Sequence, residues 1–215
     1  MPILKSQSPD TKTRIMEVAF ELFGKEGFDG TSIRDIAKLS DSNIASVNYH
    51  FKSKENLYWE VMAATFLEVH LAIQKFSVDS KNTKDLAMKS YDYFRSEKTA
   101  TRAIMKMMLT DLQPPDDLSE EVKKILMDPM GPPGGEYFAD SLAKEVPYSL
   151  SLEGLMWGVK SIFGVIHHWG VLLTCNCVID NKDPMMSENQ FRKDVESMVD
   201  SHLHYLVNNK VKFKA

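Results

Sequence analysis

The chain has 215 residues, of which 43% are apolar and 26% charged, the balance of an ordinary globular protein. Its two cysteines, Cys175 and Cys177, are too few for a disulfide framework and fit a reducing compartment. The N-terminus lacks the apolar core of a secretory signal, so we expect a cytoplasmic protein. The formal net charge of −4, taken alone, argues against nucleic-acid binding, for which a basic domain is typical.

Two helices are predicted at the start of the chain. Apolar residues at spacings of three and four run through 11–27, with Ser8 and Pro9 before them and Gly27 at their end. Thr31 is in position to cap the second helix. The inward face of that helix would consist of Ile33, Ile36 and Ala37.

A short third helix and a long fourth helix follow. Ser42 is in position to cap the third helix, and Ser53 the fourth, which begins at Lys54. Three helices with a short polar connection over 39–42 have the order of a helix-turn-helix module. That connection lacks the usual turn glycine. The inward face of the third helix would consist of Ile44, Val47 and Phe51.

The remaining sequence is also helical in pattern, and Ser187 with Gln190 is a capping box for the last helix. Proline and glycine residues break the pattern at 113–117 and 128–136. No segment alternates convincingly with period two, so we predict an all-α protein. Helices are expected over 83–96, 99–112, 118–127, 137–145, 148–174 and 187–208.

An uncharged run of nineteen residues, 161–179, is long enough to span a bilayer. His167 and His168 interrupt the run, and Lys160 lies just before it. A helix that is apolar on all sides is also typical of a buried core or a subunit interface. We adopt that interpretation and expect no membrane partner, with a membrane-anchored protein as the alternative.

The segment 31–54 carries side chains suited to DNA. Asparagine reads adenine edges, serine and tyrosine bond phosphates, and histidine does either. Lys54 falls in the first turn of the fourth helix, where the helix dipole disfavours a cation and a bound phosphate would offset that effect. The third helix would present Asn43, Ser46, Asn48, Tyr49 and His50.

At this point the sequence resembles the N-terminal domain of the TetR family of bacterial transcriptional regulators, over about residues 11–62. The motifs that carry the resemblance are AFELFGKEGFDGTSIRDIA and VNYHFKSKENLYWEVM. The resemblance implies a helix-turn-helix domain over 1–54 that reads a palindromic operator as a homodimer. It implies a helical effector-binding and dimerisation domain over 55–215, and hence a repressor released by a small molecule.

The resemblance also implies a set of DNA-contacting residues. Asn48 stands where the family usually has tyrosine, so it can read a base instead of contacting the backbone. Asp41 and Ser42 replace the family's frequent Gly-Val in the turn. The alternative is that this segment is a small helical core with a solvated face. The implied set is Thr31, Ser32, Arg34, Asn43, Ile44, Ala45, Ser46, Asn48, Tyr49, His50, Lys52 and Lys54.

Methionine and aromatic residues in the C-terminal domain are candidates for an effector pocket. Methionine suits adaptable pockets, although such residues are more often plain core. No resident cofactor is expected beside a small-molecule effector. The candidates are Tyr91, Phe94, Met105, Met108, Leu112, Trp157 and His167.

Metal and catalytic motifs are weak. Cys175 and Cys177 lack the Cys-x-x-Cys spacing of a zinc site, and adjacent histidines such as His167 and His168 diverge on a helix, so no metal is expected. The sequence has no Gly-rich phosphate loop, Gly-x-Ser-x-Gly or His-Glu-x-x-His motif, so we expect no enzyme. The alternative is a helical small-molecule-binding protein or enzyme with a vestigial DNA-binding module.

The helices over 148–174 and 187–208 match the family's dimerisation pair, which would explain the uncharged run. The net charge also divides between the two domains. Residues 1–54 carry eight basic and seven acidic side chains, whereas 55–215 carry eighteen and twenty-three. The acidic excess therefore belongs to the C-terminal domain, and the net charge does not exclude DNA binding by the N-terminal one.

Overall fold

The computed structural model describes residues 10–127, 131–172 and 183–215. The regular elements in these ranges are helical, which confirms the all-α prediction. The α-helices are α1 (Thr11–Gly30), α2 (Ile33–Leu39), α3 (Ile44–Phe51), α4 (Lys54–Asp79), α5 (Thr83–Ser96), α6 (Lys98–Met108), α7 (Glu120–Leu126), α8 (Gly135–Glu145), α9 (Leu152–Leu172), α10 (Glu188–Asn208) and α11 (Lys210–Phe213). A 3-10 helix spans Pro184–Met186.

The chain forms two compact units. The first takes the described residues of Met1–Glu68 and Arg102–Met127, and the second those of Val69–Thr101 and Asp128–Ala215. Helices α4 and α6 therefore each contribute residues to both units. The functional division of the sequence at residue 54 is a separate matter and stays a prediction.

The core of the first unit is aromatic. Phe23 and Phe28 of α1 pack around Tyr58 of α4, with ring centroids 4.9 and 5.4 Å from the tyrosine ring. The Tyr58 hydroxyl donates to the Met107 carbonyl at 2.7 Å, so it stays hydrogen-bonded while fully buried. Val47 and Phe51 of α3 are buried as predicted. These contacts fix α3 against the rest of the unit.

The caps of the second and third helices lie one residue later than predicted. Ser32, not Thr31, accepts from the backbone of Asp35, and Asn43, not Ser42, accepts from the backbone of Ser46 at 2.8 Å. The Thr31 hydroxyl instead donates to the Gly27 carbonyl. Since two capping side chains adjoin at each site, local sequence alone does not decide between them.

Of the other predicted helix starts, that of α4 is confirmed and that of α1 has a different capping residue from the one expected. Ser53 accepts from the backbone N–H of Asn56, which confirms it as the cap of α4. Helix α1 begins after Asp10, whose carboxylate accepts from Thr13. Ser8 and Pro9 lie outside the described residues. Gly27 has φ 82°, a conformation that favours glycine, and bends α1 there instead of ending it.

The turn between α2 and α3 functions without a glycine. Asp41 takes the left-handed conformation, with φ 50°, which aspartate tolerates better than most residues. The Ser40 and Ser42 hydroxyls lie 2.9 Å apart, and the Ser42 N–H donates to the Ala37 carbonyl. The turn is thus closed by its own hydrogen bonds.

Helix α1 approaches residues 102–108 of α6 closely at Gly24. A Cβ atom at that position would lie 2.5 Å from Cβ of Ala103, closer than real side chains come. Only glycine fits there. The Lys106 ammonium also donates to the Lys25 carbonyl in the second half of α1.

The second unit is a layer of helices around α9. Phe163 of α9 packs edge-on against Phe94 of α5 and Phe138 of α8, with centroids 6.2 and 5.7 Å apart. Helix α10 starts after Ser187, which accepts from the Gln190 backbone and is confirmed as the cap. The Gln190 side chain donates to Asp194 instead of to the Ser187 backbone, so the second half of the predicted capping box does not form. Its buried stripe consists of Phe191, Val195, Val199 and Leu206.

Helices α6 and α9 differ most from their predicted bounds, whereas α7 and α8 differ by at most two residues at either end. Helix α6 ends at Met108 instead of 112, and it buries Met107 rather than Met105 or Met108. Helix α9 begins at Leu152 instead of 148. Residues 149–151 pair instead with the end of the chain: the Ser151 N–H donates to Phe213 and the Ala215 N–H to Ser149. The sequence did not predict α11, which brings Phe213 there.

Within the described ranges, α4 is the helix whose length and mean hydropathy would suit a membrane span, a test that core helices also pass. The last residues of the uncharged run, 173–179, lie outside those ranges, as do Cys175 and Cys177. The described residues include no group of three or more His, Cys, Asp or Glu side chains placed to hold a metal ion.

Candidate nucleic-acid interface

Helix α3 has one buried and one exposed side. Val47 and Phe51 are buried, while Ala45, Asn48 and Tyr49 are exposed, Tyr49 to 84%. Its short length and single anchored side leave its outer surface open. An exposed, rigidly anchored helix of this size is the kind of element that enters the major groove of DNA.

Ile44 differs from its predicted place. The sequence pattern assigned it to the inward face, but the structure leaves it 43% exposed, so that prediction is wrong. It is the first helical residue of α3, and no preceding turn covers it. The resemblance had separately assigned Ile44 to the surface that faces bases, and its exposure is compatible with that role.

The capping function of Asn43 limits what else it can do. Its Oδ1 accepts from the Ser46 N–H at 2.8 Å, so its amide nitrogen remains as a donor. Ser46 itself is half-buried and His50 is half-buried beside Tyr49, whose ring centroid is 5.2 Å away. Asn48 is exposed, with both amide atoms available among the described contacts.

The residues predicted around α2 fall into two groups. Ser32 and Arg34 are exposed, whereas Thr31 is 2% exposed and its hydroxyl is bonded within the chain. Thr31 is therefore out of reach of a DNA phosphate in this structure. Sequence reasoning missed Lys38, an exposed cation four residues after Arg34 and hence on the same face of α2. That spacing was the signal available for it.

The two lysines after α3 have different surroundings. Lys52 is exposed, with Nζ 3.5 Å from the carboxylate of Asp117. The Lys54 ammonium donates to the carbonyls of Phe28 and Thr31 at 2.9 and 3.0 Å and lies 4.0 Å from the Phe28 ring centroid. The compensation that we expected from a phosphate at Lys54 is thus supplied by the chain itself.

The predicted effector residues divide between the two units. Met105, Met108 and Leu112 belong to the first, and the other four to the second. Met108 is exposed. Within the second unit, the ring of His167 lies 6.2 Å from that of Phe94, between centroids. Burial, and then the neighbouring His168, lower the pKa of His167, which keeps its imidazole neutral at pH 7.

Tyr91 is the most unusual residue of this group. It is fully buried, and its hydroxyl has no hydrogen-bond partner among the described residues. Burial raises its pKa to about 12. A buried hydroxyl without a partner costs stability, so it marks a place where a bound molecule could contribute the missing bond.

Trp157 packs in a different cluster from Tyr91, Phe94 and His167. Its ring packs at a tilt against those of His202, Tyr205 and Phe213, with centroid distances of 5.9, 5.3 and 5.0 Å. This cluster joins α9, α10 and α11. The contacts give Trp157 a structural role in holding the chain end.

Sequence comparisons agree with this geometry. Residues 15–61 match the model of the family "Bacterial regulatory proteins, tetR family". The chain is 32% identical over 108 residues to the probable HTH-type transcriptional regulator YttP of Bacillus subtilis, covering 47% of this chain and 52% of that protein. It is 30% identical over 92 residues to the HTH-type transcriptional repressor NicS of Pseudomonas putida, covering 41% and 43%. The chain thus spans about half the length of these relatives.

Structural comparison also finds similarity over the C-terminal helices. The transcriptional regulator FadR of Bacillus subtilis, solved in complex with stearoyl-CoA, superposes with a TM-score of 0.60 at 15% identity, covering 91% of this chain and 97% of that one. At this identity the likeness concerns the fold alone. Residues 15–61 therefore form a helix-turn-helix domain of the tetR family of bacterial regulatory proteins, and the chain as a whole shares its all-α fold with FadR.

Proposed function

We propose that this protein is a cytoplasmic transcriptional repressor that binds a palindromic DNA operator as a homodimer and is released by a small molecule. The observation that carries the DNA-binding part is the exposed face of α3, anchored from behind by Val47 and Phe51 within the matched family domain. Repression is supported by the relative NicS, which is named a repressor.

Selection of tight binders from random-sequence DNA tests the proposal. We expect a palindrome, with one half-site for each α3 of a dimer. Arg34→Ala and Tyr49→Ala are each expected to weaken binding about tenfold or more, since each removes a polar contact with DNA. The measurement is an equilibrium titration of the selected duplex at fixed salt.

The control variant is Lys25→Ala, which removes one exposed cation outside α2 and α3. It should leave affinity within about twofold, because distant surface charges are screened. A protein that enriches no sequence at low salt would contradict the proposal and favour a small-molecule-binding protein with a vestigial DNA-binding module.

Self-association through α9 and α10 is supported by the apolar side chains that these helices leave exposed. Leu152 of α9 and Met198, Tyr205 and Val207 of α10 are all solvent-accessible in the single chain. Burying such side chains against a second copy would stabilise a twofold dimer. The predicted dimerisation pair, 148–174 and 187–208, corresponds to α9, which begins at Leu152, and to α10.

We expect Met198→Glu to weaken the dimer by tenfold or more, because a carboxylate would be desolvated in the interface. Sedimentation velocity across a concentration series measures the shift toward monomer. Leu109→Glu is the control, since Leu109 is also apolar, is more exposed than Met198 (86% against 40%) and lies outside α9 and α10. Equal dimerisation of the Met198 variant and the wild type would exclude this surface.

The effector proposal is confined to the second unit and rests on Tyr91, Phe94 and His167. An apolar or amphipathic molecule suits neutral His167 and the aromatic rings, and the solved complex of the structural relative FadR contains stearoyl-CoA. The ligand would favour a conformation in which α4, which contributes to both units, changes the spacing of the two α3 helices from the ~34–36 Å that a palindrome requires. Crosslinks between the two α3 helices that are identical with and without a releasing ligand would exclude this mechanism.

A further inference from the structure

We propose that the operator half-site contains an A·T pair read by α3, with Ile44 against the 5-methyl group of thymine and Asn48 on the edge of adenine. This inference rests on the proposed function, because it assigns bases to the same helix face. It concerns which sequence is bound, whereas the proposed function concerns whether DNA is bound at all.

Ile44 supplies the apolar part of this surface. It is 43% exposed at the first helical position of α3, in a segment whose other exposed side chains are small or polar. In the major groove, thymine alone among the four bases presents a methyl group, and apolar side chains are its usual partners. Covering Ile44 with a thymine methyl group would remove both apolar groups from water.

Asn48 supplies the polar part. It lies four residues after Ile44 on the helix, so the two side chains are neighbours on the surface of α3. Its exposed amide offers one acceptor and one donor, the pair that matches N6 and N7 of adenine. Asn43 is less free to make that paired contact, because the bond from the Ser46 N–H to its Oδ1 holds its amide at the helix start.

The charges around α3 argue against a guanine-rich site. The sequence from Asn43 to Phe51 contains no lysine or arginine, the residues that most often read guanine. The exposed cations Arg34 and Lys38 belong to α2, and Lys52 follows α3. Cations flanking a reading face are placed for phosphates, which position a protein without specifying a sequence.

The test uses the palindrome selected by the full-length protein and removes single methyl groups by replacing thymine with deoxyuridine. At one thymine in each half-site, we expect wild-type affinity to fall by about fourfold, the effect of one buried carbon group. Ile44→Ala should bind the unmodified duplex more weakly and be insensitive to the same replacement. Replacing adenine with 7-deazaadenine removes N7 and tests Asn48 in the same way. The affinity of the wild type should fall, and that of Asn48→Ala should not change.

Leu39→Ala is the matched control, because Leu39 is exposed and apolar but ends α2. It should keep the full sensitivity to deoxyuridine. The proposal is overturned if the wild type tolerates deoxyuridine at every thymine, or if Ile44→Ala remains as sensitive as the wild type. Failure to select any palindrome would instead count against the proposed function, so the two failures are distinguishable.

Discussion

Replacing Lys54 with methionine is expected to lower the free energy of unfolding by about 1.5–3 kcal/mol, as for the loss of a charge-assisted hydrogen bond. The Lys54 ammonium donates to the carbonyls of Phe28 and Thr31, and methionine keeps much of the apolar stem but provides no donor. It also removes the cation above the Phe28 ring. Urea denaturation followed by circular dichroism measures the change.

Lys52→Met is the matched control for stability. Lys52 is exposed and has a single 3.5 Å contact with Asp117, so its loss should change the free energy of unfolding by less than about 1 kcal/mol. For DNA binding, we expect Lys52→Met to have the larger effect of the two variants. Lys52→Met is expected to reduce the salt dependence of binding, by about one phosphate per subunit, whereas Lys54→Met should not. A Lys54 variant of normal stability and reduced salt dependence would contradict the structural role.

Replacing Tyr91 with phenylalanine is expected to raise the free energy of unfolding of the ligand-free protein by about 1–2 kcal/mol. The change removes a buried hydroxyl that has no partner among the described residues and leaves the ring in place. If the proposed effector bonds that hydroxyl, the same variant will bind it more weakly. Stability is measured by urea denaturation, and effector affinity by calorimetric titration once a ligand is found.

Tyr58→Phe is the control, because Tyr58 is equally buried but donates to the Met107 carbonyl at 2.7 Å. It should destabilise the protein by about 1 kcal/mol. Destabilisation by both variants to the same extent would show that the Tyr91 hydroxyl has a partner.

The buried Tyr91 also predicts that the folded protein loses stability at alkaline pH. An unfolded tyrosine ionises near pH 10, whereas burial raises the pKa of Tyr91 to about 12 in the folded chain. The folded state therefore holds the proton more tightly, and stability that is complete below pH 10 falls as pH rises through about 10 to 12. In Tyr91→Phe this decline should be shallower than in the wild type, as denaturation at a series of pH values would show.

The local signals in the sequence predicted the helices well, and their errors are instructive. Caps at Ser53 and Ser187 are confirmed because each stands alone before its helix. The caps of α2 and α3 were misplaced by one residue because Thr31 and Ser32, and likewise Ser42 and Asn43, both qualify. In the structure the alternative hydroxyls are used elsewhere, since Thr31 donates to the Gly27 carbonyl and Ser42 bonds Ser40 within the turn.

Non-local packing accounts for what the sequence did not predict. Residues 149–151 are not part of α9, because their backbone is hydrogen-bonded to residues more than sixty positions later in the chain. The periodicity of the local sequence contains no information about those partners. The role of Lys54 is likewise non-local, since its partners Phe28 and Thr31 come from the region after the bend in α1. The face of α3 was predicted except for Ile44, whose exposure depends on its position at the helix start.

The contact between Gly24 and Ala103 has a mechanical consequence. Long side chains between two helices can change rotamer and absorb a small shift, but a glycine and an alanine have no side-chain torsion with which to do so. A displacement of residues 102–108 by a few tenths of an ångström must therefore either push α1 or open a gap beside it. At Gly24 and Ala103, a shift of either helix is therefore passed directly to the other, with no side-chain rotamer between them to absorb it.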